Sequence, residues 1–210
     1  ALLSQVQLPN SILLKKPMGF SMRLVSKSFV AVASLVLAVS TVSADEYLID
    51  TRGGHASVAT KFLHQGISWL TAEFKVFEGS FFYDPDNVEA SSINLTVDVM
   101  SLDSNHETRD SHILAADYLD AENFAQASFV STSAMDKGNG SLMLTGDITL
   151  HGVSKEITVD VVMVGEGEVR GTPRLGFEGT TTLDLRDFGY DRFAPTHQVH
   201  LEVNVEGIQQ

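Results

Sequence analysis

No cysteine occurs anywhere in the 210 residues, so disulfides, thiolate metal ligands and thiol redox chemistry are excluded, and stability must come from the core alone. Basic residues are scarce: 14 Lys and Arg stand against 27 Asp and Glu, a formal charge of −13. Such a surface repels phosphate backbones, which argues against nucleic acid as a partner, and it disfavours anionic bilayers on the same ground. The chain has no Walker or dinucleotide glycine loop and no G-x-S-x-G nucleophile elbow. It also lacks an internal repeat, a low-complexity tract or a linker, so with 43% hydrophobic residues one core and one domain are expected. The longest apolar run, FVAVASLVLAV, is too short to span a bilayer comfortably.

That run belongs to residues 22–44, MRLVSKSFVAVASLVLAVSTVSA, which have the layout of a secretory signal peptide. Arg23 and Lys27 form its positive start, and Val42-Ser43-Ala44 supplies small residues for cleavage. Cleavage after Ala44 is expected, with export to the periplasm of a soluble protein beginning at Asp45. Residues 1–21 show no helical or strand period and read as an upstream extension, with Met18 or Met22 as the initiator. The segment before Asp45 holds four basic residues and no acid, so the exported domain, 45–210, keeps 10 basic residues against 27 acidic ones, a charge of −17.

From residue 46 onward the pattern is alternation bounded by turn residues, as in half-buried antiparallel strands. Ile93, Leu95, Val97 and Val99 share one face; Leu142, Leu144, Ile148 and Leu150 do the same further on, and Leu201, Val203 and Val205 close the series. Turn signals stand at 84–87, 137–140, 151–152 and 165–167. Runs near 46–50, 55–64, 68–83, 91–102, 127–135, 141–150, 155–164, 174–186 and 198–207 predict eight or nine strands, in a sandwich or a closed barrel. The long run Ser68–Tyr83, with a bend expected at Gly79, favours the strongly coiled barrel. Residues 103–126 break the pattern, and Ile113, Leu114 and Tyr118 predict a short helix between Thr108 and Leu119 over one barrel end.

Several of these segments, in this order, resemble the YceI-like family of exported, lipocalin-shaped proteins. HQGISWLTAEFKVFEGSFFYD (64–84) is similar to its long early strand, and 105–133 to its polar helix and aromatic motif. GDITLHGVSKEITVDV (146–161) is similar to its G-x-L-T-L-x-G-V-T-K hairpin, with Ile148 for leucine and Ser154 for threonine. Residues 176–191 and 199–210 resemble its last two strands. The resemblance implies an extended eight-stranded antiparallel barrel with a short helical insertion. It also implies a binding or carrier role with no established catalysis, and an apolar tunnel holding a polyisoprenoid lipid such as the tail of a quinone or its precursor.

On that basis Phe62, Phe74, Ile93, Leu95, Val97, Phe129, Leu144, Val159, Phe177 and Leu183 are expected to line the tunnel. His64 and Trp69, within the H-x-G-x-S motif, and Arg109, in the family's R-D-x-H-L pattern, are placed at the mouth or near the head group, although Arg109 also suits a structural pairing with Asp110. No catalytic residue, metal or cofactor is assigned. The expected partner is a long-chain isoprenoid or similar amphiphile, with a homodimer left open.

One stretch argues for other chemistry. HETRDSH (106–112) concentrates two histidines and two acids, and His106 and Asp110 share a helical face at i,i+4. His112 lies about 200° round the helix from Asp110, and the H-E-x-x-H zinc pattern is broken where Asp110 replaces histidine. A solvated helix start with acids near its N-terminal dipole is the reading favoured here. An exported metal-dependent hydrolase using this cluster, or a stress or interaction module with a filled barrel, are the alternatives. Eight strands enclose an interior that either side chains or one small ligand can fill.

Overall fold

The computed structural model describes residues 45–190 and 197–210. The proposed upstream extension, signal peptide and cleavage point lie outside that range. Eleven strands and one α-helix occur among the described residues: β1 (Asp45–Ile49), β2 (Ser57–His64), β3 (Ser68–Phe74), β4 (Phe77–Tyr83), β5 (Ser92–Asp98), β6 (Leu102–Asp103), α1 (Glu107–Leu114), β7 (Gln126–Gly138), β8 (Ser141–Leu150), β9 (Val153–Val169), β10 (Thr172–Asp184) and β11 (Gln198–Gln209).

All pairings are antiparallel, and eight strands form a closed ring in the order β1, β4, β5, β7, β8, β9, β10, β11 and back to β1. Closure is made by Tyr47 opposite Gln209, Leu48 opposite Ile208 and Ile49 opposite Gly207. Further along, β11 leaves β1 and pairs with β2 instead, from Asn204 opposite Ser57 to Val199 opposite Phe62. The pair β1/β2 thus occupies one position in the wall, and β3/β4 the next. The far edge of β3 is paired only by the two residues of β6, Phe74 opposite Leu102 and Glu73 opposite Asp103. The fold is the expected all-β, extended eight-stranded antiparallel barrel with a short helical insertion.

Local departures have physical reasons. The long run 68–83 breaks at Lys75-Val76, not at Gly79. Lys75 N–H donates to the Ser101 carbonyl (3.1 Å) and Val76 N–H to Ser101 Oγ (3.0 Å), so a residue from a distant turn ends the strand. Gly79 lies inside β4, where a Cβ would come within 2.2 Å of the Asn94 carbonyl oxygen; its role is close strand approach. The expected turn at 165–167 is strand: β9 runs on to Val169, and the reversal falls at Arg170-Gly171, both at positive φ (54° and 83°) as a two-residue hairpin turn requires. The run 91–102 ends as a strand at Asp98, whose side chain accepts from Met100 N–H and opens a 3-10 turn over Val99–Ser101.

Helix α1 starts one residue before the expected range and stops at Leu114, where Ala115 turns extended. The chain then folds back on the helix through Leu119 N–H to the Ile113 carbonyl (2.9 Å) and Ala121 N–H to the Leu114 carbonyl (3.0 Å). Ile113 and Leu114 pack against a buried cluster that includes Leu102, Leu119, Leu185 and Phe188, so the helix covers one barrel end as expected. A second cluster, around Tyr47, Phe81, Leu142, Leu175 and Phe177, occupies the other part of the interior.

Candidate functional site

Strand alternation turns every second side chain inward, and the inward faces of the barrel enclose a cavity of about 220 Å³. All ten residues read from the sequence as tunnel wall line it: Phe62, Phe74, Ile93, Leu95, Val97, Phe129, Leu144, Val159, Phe177 and Leu183. Phe62, Phe74, Ile93, Phe129 and Val159 point inward yet are only half-buried, because they border the open cavity even where they also pack against the buried clusters. A barrel filled by its own residues would bury them, which argues against the filled-barrel alternative. The wall further includes Val58, Thr60, Ala72, Phe81, Leu142, Ile148, Ile157, Val161, Leu201, Val203 and Val205. These were missed although the same parity along β2 to β4 and β8 to β11 marks them.

Among the described residues no charged side chain lines the cavity. Of its hydroxyls, Thr60 donates to the Ala72 carbonyl (3.2 Å) and Thr181 to the Thr158 carbonyl (2.8 Å). Ser91 Oγ is buried and has no hydrogen-bond partner. Ser91 stands beside Phe82, Tyr83 and the exposed Ser92 in the wall, at the start of β5. Aromatic rings gather in this part of the barrel: Tyr47 stacks on Phe81 at 5.1 Å, and Phe177 meets Phe81 and Tyr83 edge-on at 5.4 and 5.1 Å. Burial pushes the Tyr83 phenol above its ordinary value, and the charges of Asp136, Glu166 and Asp84 push it the same way. Tyr47 is raised by burial and by Asp45 and Glu166.

The three residues placed at a mouth or head group are not in the cavity wall. His64 ends β2 on an exposed turn. Trp69 lies on the outer surface, half-exposed, with the Lys61 ammonium 4.7 Å from its ring centre and the His200 ring at 5.4 Å. Arg109 donates from Nε to Ser104 Oγ (2.7 Å) and from Nη2 to the Ser104 carbonyl. Asp110 accepts from Ser104 N–H (2.9 Å) and from its hydroxyl. Burial pushes the Asp110 carboxyl up, but these two hydrogen bonds and the Arg109 charge leave it below the ordinary value. Ser104 is thus clamped between the two charged residues, and His106 Nδ1 accepts from Arg109 N–H (3.3 Å) as the helix cap. The HETRDSH polar groups therefore hold the helix entry.

A different cluster, invisible in the sequence, brings Asp50, His55 and Glu206 within metal-ligating distance of one another. A guanidinium already fills the position: Arg174 Nη1 lies 2.6 Å from Asp50 Oδ2 and 2.6 Å from Glu206 Oε1. Gly53 N–H donates to Asp50 Oδ1 (2.8 Å), and a Cβ on Gly53 would come within 2.7 Å of that carboxylate. Arg174, then the Gly53 hydrogen bond, hold the Asp50 carboxyl below its ordinary value. This is a structural clasp between the β1 end, β10 and β11.

No helix among the described residues is long and apolar enough to cross a membrane. Comparison with known proteins agrees with the geometry. The family model described as "YceI-like domain" matches residues 47–207. A UPF0312 protein of Vibrio cholerae serotype O1 is 44% identical over 182 residues, covering 86% of this chain and 96% of its own. One from Vibrio vulnificus is 46% identical over 187 residues, covering 88% and 99%. Among solved structures, Burkholderia cenocepacia BcnA superposes with a TM-score of 0.67 at 21% identity, over 75% of this chain and 98% of its own. A polyisoprenoid binding domain from Saccharophagus degradans, implicated in plant cell wall breakdown, gives 0.59 at 12% identity, over 80% and 99%. Those two likenesses concern the fold, whereas the family model and the Vibrio relatives decide membership: the chain belongs to the YceI-like family.

Proposed function

We propose that this protein is an exported binding protein, without catalysis, that carries a polyisoprenoid lipid through the periplasm in its barrel cavity. The observation that carries this reading is a hollow barrel whose wall, among the described residues, contains no charged side chain. Since a cavity of about 150 Å³ takes one benzene ring, the 220 Å³ here accommodates about nine carbons, roughly two isoprene units. Burying about ten methylenes at ~0.8 kcal/mol each contributes roughly 8 kcal/mol, the scale of micromolar binding before ordering losses. The polyisoprenoid binding domain of similar fold supports the ligand class.

The polar end of the ligand is best matched at Ser91. Its unpaired hydroxyl can donate to a carbonyl or accept from a hydroxyl, and the rings of Phe82, Tyr83 and Phe177 in the same wall suit a flat head group. Asp84, Asp136 and Glu166 around Tyr83 oppose an anionic head, so a neutral quinone or its precursor is favoured over a prenyl pyrophosphate. Solvent extraction of the purified protein followed by mass spectrometry is expected to recover such a lipid. The tunnel-filling variant Val159→Trp is expected to stay folded by circular dichroism and lose at least tenfold of it. An apo protein that also fails to bind quinone analogues would overturn the reading.

A further inference from the structure

We infer that the β2–β3 hairpin, residues 61–71, is an edge that docks on a lipid bilayer. Three observations converge on it. The first is apolar exposure where a polar turn is the norm: Ile67, at the hairpin tip, is 81% exposed, and Trp69 is 50% exposed. The tip is held stiffly, since Gln65 and Gly66 both adopt positive φ (51° and 72°) and Ile67 N–H closes the turn on the His64 carbonyl at 2.9 Å. Trp69 combines a large apolar body with one N–H donor, and Lys61 over its ring supplies a cation at the same level, a pairing suited to the boundary between acyl chains and phosphates.

The second observation is charge. In a chain with 27 acids, none occurs from Thr51 to Ala72. On the outer face Lys61 stands between Thr71 and His200, and His200 is in turn paired with Thr182, whose hydroxyl lies 2.8 Å from its Nδ1. Of the flanking acids, Glu73 is paired with the Lys75 ammonium (2.6 Å) and Asp184 with the Arg186 guanidinium (2.9 Å), whereas Glu202, one row further along β11, accepts from the neutral Asn204 amide (3.1 Å). The rest of the surface repels lipid phosphates, so a bilayer selects this edge and orients the barrel by it. The third observation is continuity with the cavity. Phe62, in the cavity wall, is two residues from the start of the turn and pairs with Leu70, so the docking edge is also a lip of the cavity.

The inference does not require an occupied cavity, and its test reads docking separately from lipid carriage. Trp69 is the only tryptophan, so its emission reports on this edge alone. Adding vesicles of phosphatidylethanolamine with a minority of phosphatidylglycerol is expected to shift the emission to the blue, and lipids brominated in the acyl chain are expected to quench it. Ile67→Asp and Lys61→Glu, both at surface positions and checked for fold by circular dichroism, are each expected to reduce vesicle partition, Ile67→Asp by roughly tenfold. Emission indifferent to vesicles would overturn the inference, as would a shift surviving both substitutions. A shift that grows with protein concentration in the absence of vesicles would also overturn it, because a second copy would then be what covers Trp69.

Discussion

Ser91 is a residue at which the cavity wall leaves a buried polar atom without a partner. A hydroxyl buried without a partner costs roughly 1–3 kcal/mol, so Ser91→Ala is expected to preserve or raise the melting temperature of the ligand-free protein. The same change is expected to weaken binding of a quinone analogue by roughly three- to tenfold, the worth of one neutral hydrogen bond, read by titration. Unchanged affinity would place the head group elsewhere. The contrast between Ser91 and its neighbours also marks what a sequence can disclose. The inward direction of the ten wall residues was legible because side-chain direction along a strand follows parity, whereas the expectation of a tunnel in place of a filled core came from the family resemblance. The lack of a partner for Ser91, and the meeting of Asp50 with Arg174 across 124 residues, depend on which strands come together, and no local pattern encodes that. Trp69 illustrates the limit of motif reading: it lies beside the glycine turn as expected, but its inward neighbours Thr60, Phe62 and Ala72 put it on the outer face.

At the scale of elements, α1 depends on its entry more than on its apolar face, since none of its residues is fully buried. The clamp on Ser104 is therefore expected to govern its stability. Asp110→Ala leaves a buried serine without its carboxylate partner and is expected to cost about 1–2 kcal/mol in urea unfolding, whereas His106→Ala removes a longer bond and is expected to cost less. Equal effects would mean that the cap, not the clamp, fixes the helix. The i,i+4 spacing of these residues was visible from the start; that Ser104 would absorb both charged neighbours was not. Strand ends were misread for a similar reason. Gly165 and Gly167 look like turn residues, yet a left-handed pair at Arg170-Gly171 supplies the reversal and leaves both glycines in the sheet. The break at Lys75-Val76 has no glycine or proline of its own and is imposed by Ser101.

For the whole molecule, acid stability follows from three carboxyls held below their ordinary value: Asp50 and Asp110 in direction, and Asp184, paired with Arg186, down to about 2. Lowered folded values mean that the unfolded chain binds more protons in this window. The stabilisation is thus present in full above the ordinary carboxyl value near 3.8 and is lost as pH falls toward 2. Melting temperature is expected to hold from neutral pH down to about 5. It is then expected to fall steeply below about 4 in calorimetric scans. A flat profile through that range would show that these pairs contribute nothing. The ring itself is uneven in another respect. Strands β8, β9 and β10 are bonded along both edges, but β3 has β2 on one side and only the two residues of β6 on the other. Backbone amides of Ser68–Ala72 should therefore trade hydrogen for deuterium well ahead of those in β8 to β10. The barrel has a seam, and parting it there costs only a few backbone bonds while most of the sheet stays intact.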